Sequence, residues 1–250
     1  MSKLIKIYGE RNTNTNYMSE LIRLNLDIEE IEGVVPYRLL QMQNILPGEE
    51  WLRDAYFYFT CGQNLGWKHT CVKSVDKLRR YSVVQKNQPA FLTITKNPYS
   101  WLLSLHRRPY HQYYSKQPDL ETFLGLPWKT VGRDNTKKWL QNPVELWNLK
   151  NRSYQQLLEL NAMNITTEQI FENPEAIVDK VSARFSVGKK SDKFINFERS
   201  TKDKSKDSNY YRDYYLNERW REKLSDQAIT MINDRVDKDL MAHFGYQVLS

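Results

Sequence analysis

The apolar positions change period within the first two dozen residues. Lys3 to Tyr8 alternate loosely and include β-branched side chains, the period of a strand, whereas Tyr17, Met18, Leu21 and Ile22 recur on one face of a helix. Between them lies GERNTNTN, a polar loop with one glycine and no proline. Further apolar or aromatic runs predict strands at Ala55 to Thr60, Leu65 to Val72, Ala90 to Thr95, Asn164 to Thr167 and Phe194 to Phe197. A helix is predicted to begin just after Asn97-Pro98, since proline suits the first helical turn, and it places Trp101, Leu102 and Leu105 on one face. Near the end, Ser225 caps a helix through Ala228, Ile229, Ile232 and Val236, and Asp237 starts another that stops at Gly245. Strands alternating with helices predict an α/β fold with a mostly parallel central sheet and ligands at the strand ends.

The first strand, loop and helix have the layout of an anion cradle, because the first helical turn leaves backbone N–H groups unpaired. The ATPase and kinase pattern G-x-x-x-x-G-K-[ST], laid over Gly9 to Asn16, needs glycine at Asn14, lysine at Thr15 and a hydroxyl at Asn16, and all three fail. A second strand-to-helix junction has Lys96 directly after the strand and Ser104 eight residues on, so a cation and a hydroxyl can converge on one phosphate.

Composition adds limits. The 250 residues contain no linker or charge block, so one domain over residues 1–250 is expected. No stretch approaches about 18 uninterrupted apolar residues, which predicts no membrane span, and the start of the chain has no secretory h-region, which predicts a cytoplasmic protein. Cys61 and Cys71, the only cysteines, lack zinc-site spacing, and no metal site is expected. The net charge of +7 favours an anionic ligand without choosing one.

Taken together, GERNTNTNY and TKNPYSWLLSLHRR resemble the two nucleotide signatures of the sulfotransferases that use 3'-phosphoadenosine 5'-phosphosulfate (PAPS). The middle segment GWKHT and the closing helix INDRVDKDLMAHFGY are weaker similarities. The resemblance implies a single three-layer α/β domain like that of the P-loop kinases, PAPS as sulfuryl donor, its product 3'-phosphoadenosine 5'-phosphate (PAP), and no metal. It implies a 5'-phosphosulfate loop made of Arg11, Asn12, Thr13, Asn14, Thr15 and Asn16, and a 3'-phosphate site made of Lys96 and Ser104. Three departures stand out: Asn12 occupies the position of the loop lysine, leaving Arg11 as the available cation; Asn14 replaces a glycine; and Lys96 replaces the commoner arginine.

For chemistry, His69 is the candidate base for an acceptor hydroxyl or amine, with Lys68 beside it as a cation near the sulfate and Arg11 on the leaving group. On a strand, however, Lys68 and His69 would face opposite ways unless the strand ends there. Trp147, Arg152 and Tyr154 combine aromatics and charge and are expected near the nucleotide, as either a stacking wall or core. Lys202, Lys204 and Lys206 alternate with polar residues in a predicted mobile loop, which the resemblance makes a lid over the 3'-phosphate. The expected acceptor is a small molecule, a glycan or a lipid. An ATP-dependent kinase and a nucleic-acid-binding module are the competing classes; the missing lysine at Thr15 counts against the first, and charge spread along the chain counts against the second.

Overall fold

Side chains along the first strand alternate between two buried faces, and that alternation sets the layers. The computed structural model describes residues 3–43, 49–110, 116–197 and 207–250. In β1 (Lys3–Gly9), Ile5 and Ile7 point to one side of the sheet and Lys6 and Tyr8 to the other, and all four are buried. β1 pairs in parallel with β2 (Ile28–Glu30) on one edge and with β3 (Ala90–Thr95) on the other. β4 (Trp128–Lys129) and β5 (Trp139–Leu140) form a separate antiparallel ladder, and β6 (Met163–Thr166) pairs in parallel with β3. The main sheet therefore runs β2-β1-β3-β6, all parallel.

The helices fill the crossovers. α1 (Thr15–Asn25) joins β1 to β2; α2 (Tyr37–Gln43), α3 (Glu49–Asn64), α4 (Val75–Arg79) and α5 (Ser82–Asn87) precede β3. Next come α6 (Pro98–Arg107), α7 (Leu120–Gly125) and α8 (Pro143–Gln155), then α9 (Thr167–Glu172), α10 (Pro174–Phe185), α11 (Ser208–Leu216), α12 (Asp226–Asn233) and α13 (Lys238–His243). Ile5, Ile7, Leu92 and Ile94 pack against Met18 and Leu21 of α1 and Val178 and Val181 of α10. Tyr8 and Phe91 pack on the opposite face with Leu78 of α4 and Tyr154 of α8. This is helix, sheet, helix, the three-layer arrangement that buries both faces of a parallel sheet.

Several expected elements are present with their expected starts. Ala90–Thr95 is β3, buried at every position, and α6 starts at Pro98 with the Asn97 side chain accepting from the Tyr99 N–H at 3.1 Å. Ser225 and Asp237 cap α12 and α13, which end earlier than the apolar pattern suggested, at Asn233 and His243. Three expected strands are corrected. Ala55 to Thr60 lies inside α3, where of the aromatic run only Phe57 is fully buried. Leu65 to Val72 is a turn, because Leu65 and Gly66 both take positive φ (60° and 82°) and no strand continues through two left-handed residues. Phe194 to Phe197 is irregular.

The strand order reverses between β1 and β3, and their carboxyl ends lie side by side, with Gly9 opposite Ile94. Open parallel sheets bind ligands outside this point. Gly9 also fits closely there: an added Cβ would come within 2.7 Å of Thr13 Oγ1 and 2.8 Å of both the Ile94 carbonyl and Thr15 Cγ2. Gly9→Ala is expected to cost about 1–3 kcal/mol by overpacking the loop against β3. Gly125→Ala, at a position with nothing within 4 Å of the added Cβ, is the control that should be neutral in the same urea unfolding measurement.

Candidate active site

The loop after β1 is shaped by two asparagines. Asn12 (φ 68°) and Asn14 (φ 63°) both adopt the left-handed conformation, as the substitution of Asn14 for glycine requires, and asparagine enters that region more readily than other side chains with a Cβ. Asn14 is the N-cap of α1, and the first intrahelical bond runs from the Met18 N–H to its carbonyl at 3.1 Å. The Thr15, Asn16 and Tyr17 N–H groups of the first turn therefore have no carbonyl within the helix to bond, whereas in the preceding turn the Arg11 N–H is taken by the Glu10 carboxylate at 2.7 Å and the Thr13 N–H by the Glu10 carbonyl at 3.2 Å. The loop is fastened from outside: the Trp101 indole donates to the Arg11 carbonyl at 2.8 Å, and the Thr167 hydroxyl to the Thr13 carbonyl at 3.1 Å. Thr13 turns its own hydroxyl inward onto the Glu10 carbonyl at 2.6 Å. Thr15 is buried at the start of α1, and the Asn12 amide oxygen accepts from the Tyr110 hydroxyl at 2.8 Å.

The turn after α3 brings the middle signature to this loop. Its backbone is bound to β1 through the Gly9 N–H and the Lys68 carbonyl at 3.0 Å. Because residues 68 and 69 form a turn rather than a strand, both side chains reach the same loop. Lys68 Nζ donates to Asn16 Oδ1 at 2.5 Å, and His69 Nδ1 bonds the Gly9 carbonyl at 2.5 Å. A carbonyl only accepts, so Nδ1 carries the hydrogen and Nε2 holds the basic lone pair. Burial, then the Lys68 and Arg11 charges, push the imidazole well below its usual 6.5 against the opposing pull of the Gly9 carbonyl, which keeps it neutral near pH 7. The turn is held from beneath by Lys6, whose buried Nζ donates to the carbonyls of Asn64 at 2.6 Å and Gly66 at 2.8 Å. Burial lowers the Lys6 pKa to about 7, in spite of Glu30.

Arg11 is buried with its guanidinium 4.5 Å from the centre of the Trp67 ring and 5.3 Å from that of Tyr110. Arg133 covers Trp67 at 4.6 Å and is itself paired with Asp54 and Glu50. These stacks fix Arg11 beside His69.

Sequence reasoning missed the charged cluster underneath. Lys150, fully buried on α8, pairs with Asp134 at 2.5 Å and Glu10 at 3.0 Å and donates to the His69 carbonyl. Burial alone would raise the Asp134 pKa and lower that of Lys150, but the mutual attraction, with Glu10 acting on Lys150 and Arg11 on Asp134, drives both the other way. All these partners come from separate segments, and no local pattern announces them.

The second junction also assembles. Lys96, buried at the end of β3, donates to Ser104 Oγ at 2.9 Å and to the Tyr215 hydroxyl at 3.1 Å, with Nζ 4.5 Å from the centre of the Tyr215 ring. Tyr215 belongs to α11, 119 residues away, and was not foreseen. Asn14 lies next to the Tyr215 hydroxyl, so the tyrosine stands between the two junctions. Glu168 also approaches Lys96, but burial raises its pKa, and it is engaged by the Asn97 N–H and the Tyr246 hydroxyl.

Other candidates fall elsewhere. Trp147 is enclosed in the core with its indole on the Lys96 carbonyl at 2.9 Å, and Tyr154 is enclosed with its ring stacked on Tyr8, so neither offers a face to an adenine. Arg152 is exposed and paired with Asp237. Lys202, Lys204 and Lys206 lie outside the described residues. Among the described residues no group of His, Cys, Asp or Glu could hold a metal ion.

No family model matches the chain, and no curated protein matches it. A solved structure described as "Sulfotransferase Domain from the Curacin Biosynthetic Pathway" is similar over all of this chain and 99% of its own, at 10% identity and a TM-score of 0.41.

Removing the Lys150 charge should show the weight of the buried cluster. Lys150→Met leaves two enclosed carboxylates without their cation, and a loss of roughly 3–5 kcal/mol is expected in urea unfolding. In the wild type, Asp134 contributes stability above its unfolded pKa near 3.8, and that contribution is lost as pH falls through its depressed folded value. The variant should lack this acid-sensitive component.

Proposed function

We propose that this protein transfers a sulfuryl group from PAPS to an acceptor hydroxyl or amine. The observation that supports it is the pairing of Lys96 and Ser104 at the end of β3, across the switch point from the open first turn of α1 at the end of β1. Two anion-holding junctions on neighbouring strands suit a ligand with two separated anionic groups better than a single phosphate. The Lys96 ammonium and the first-turn N–H groups of α1 suit a 3'-phosphate and a phosphosulfate, while the Ser104 hydroxyl, which accepts from Lys96, gives its own hydrogen to the Ser100 carbonyl at 2.9 Å.

In this reading the loop from Arg11 to Asn16 holds the phosphosulfate end, while Lys96 and Ser104 hold the 3'-phosphate. PAPS would supply a sulfuryl group whose bond to the bridging oxygen breaks as the acceptor oxygen or nitrogen bonds to sulfur. His69 Nε2 takes the acceptor's proton; the imidazole is neutral at pH 7, and its other nitrogen is held by Gly9. Arg11 and Lys68 place positive charge where the departing phosphate gains negative charge.

Calorimetry tests the nucleotide assignment. Wild-type protein should bind PAP more tightly than AMP by roughly 1.5–3 kcal/mol, the worth of a charge-assisted contact, and the difference should shrink in Lys96→Ala with AMP affinity unchanged. Equal wild-type affinities would overturn the assignment.

With a phenolic or sugar acceptor, His69→Ala should lower kcat on the order of 10²-fold or more while PAP binding survives. Because the neutral imidazole is the working form and its pKa is depressed, wild-type turnover should be flat from about pH 6.5 upward and fall only in more acid solution.

A further inference from the structure

α3 has its polar and apolar faces the wrong way round for a surface helix. Positions 51, 54, 55, 58, 59 and 62 share one face at the helical period, and they are Trp, Asp, Ala, Tyr, Phe and Gly; the one charge, Asp54, is taken up by the Gly132 N–H and by the N–H and guanidinium of Arg133. That face is turned outward: Trp51 is 59% exposed, Tyr58 75% and Phe59 81%. The Tyr58 and Phe59 rings meet edge to face, 5.3 Å between centres, and form a projecting ridge. The helix is held to the protein by buried Phe57 on the opposite side and, at the edge of the exposed face, by Asp54, which accepts from the Gly132 and Arg133 N–H groups. Such contiguous aromatic exposure on a soluble-looking surface marks a contact site.

The flank of this ridge is basic. α5 packs beside the end of α3, and the residues flanking α4 reach it: Lys73 Nζ lies 3.4 Å from Cys61 Sγ, and Tyr81 approaches both Cys61 and Gly62. From residue 73 to 86 the chain contributes Lys73, Lys77, Arg79, Arg80 and Lys86 against the single carboxylate of Asp76, and all but Lys73 are exposed. Two copies of this surface placed face to face would bring like charges together. Trp and Tyr, rather than Leu and Ile, dominate the ridge, and these side chains favour the boundary between water and hydrocarbon. Among the described residues no helix is long and apolar enough to cross a membrane.

We propose that the aromatic ridge of α3 with the basic flank of α4 and α5 is a docking surface for anionic lipid, on which the protein binds peripherally. The rings enter the headgroup boundary and the lysines and arginines meet the lipid phosphates. The proposal is independent of the transfer reaction.

Sedimentation with phosphatidylcholine vesicles, with and without phosphatidylglycerol, tests it on the whole protein. Binding to the anionic vesicles is expected, weaker to the neutral ones, and reduced by salt. W51A/Y58A/F59A should reduce it at least tenfold, and K77E/R79E/R80E should abolish the preference for anionic lipid. All six side chains are on the surface, so melting temperature and PAP affinity should be those of the wild type. Hydrogen exchange on the unmodified protein is the second readout, with vesicles expected to slow exchange across residues 51–59. Absence of wild-type binding to anionic vesicles, or equal binding by both variants, overturns the proposal. So does a monomer–dimer equilibrium that the aromatic variant abolishes, which would give the ridge to a second copy.

Discussion

The site depends on one buried ammonium. Lys150 lies between Asp134 and Glu10 and also reaches the His69 carbonyl, so a single side chain of α8 ties together the loop after β1, the turn after α3 and the 131–134 turn. Two carboxylates and one ammonium leave a net negative charge within the cluster, and Arg11 next to Glu10 offsets it. Lys68 and Lys96, at the two strand-to-helix junctions, are not part of this group, whereas Arg11 is part of it and is also, in the proposed reaction, a cation on the leaving group.

The turn that presents Lys68 and His69 is similarly over-determined. Lys6 gathers its carbonyls from below, Gly9 bonds both its backbone and the imidazole, and Trp67 packs between two guanidinium groups. A candidate base on an irregular segment would ordinarily be loosely placed, but here the surrounding contacts leave the ring little freedom to turn. That constraint also fixes which nitrogen is basic, a property the sequence does not express.

What could be read from the sequence followed contact range. Ala90–Thr95 and the Asn97-Pro98 start were plain because a fully buried parallel strand and a capped helix are local patterns. Lys96 and Ser104 were recoverable for the same reason, being two turns apart on one junction. The partners that complete them were not: Tyr215 comes from α11, and the Glu10, Asp134 and Lys150 cluster spans most of the chain. The aromatic run in α3 misled because Tyr and Phe favour strands, and helix formation there leaves Tyr58 and Phe59 in solvent. Trp147 and Tyr154 were expected as either a stacking wall or core, and packing makes them core.

The two left-handed asparagines have an effect on timing and entropy as well as shape. Glycine at positions 12 and 14 would sample both hands of the backbone freely, whereas asparagine has far fewer conformations open to it. A cradle built this way is stiff before any guest arrives. It gives up a little energy in folding to hold the unusual backbone, and it would have correspondingly less disorder left to lose on binding the phosphosulfate of the proposed reaction.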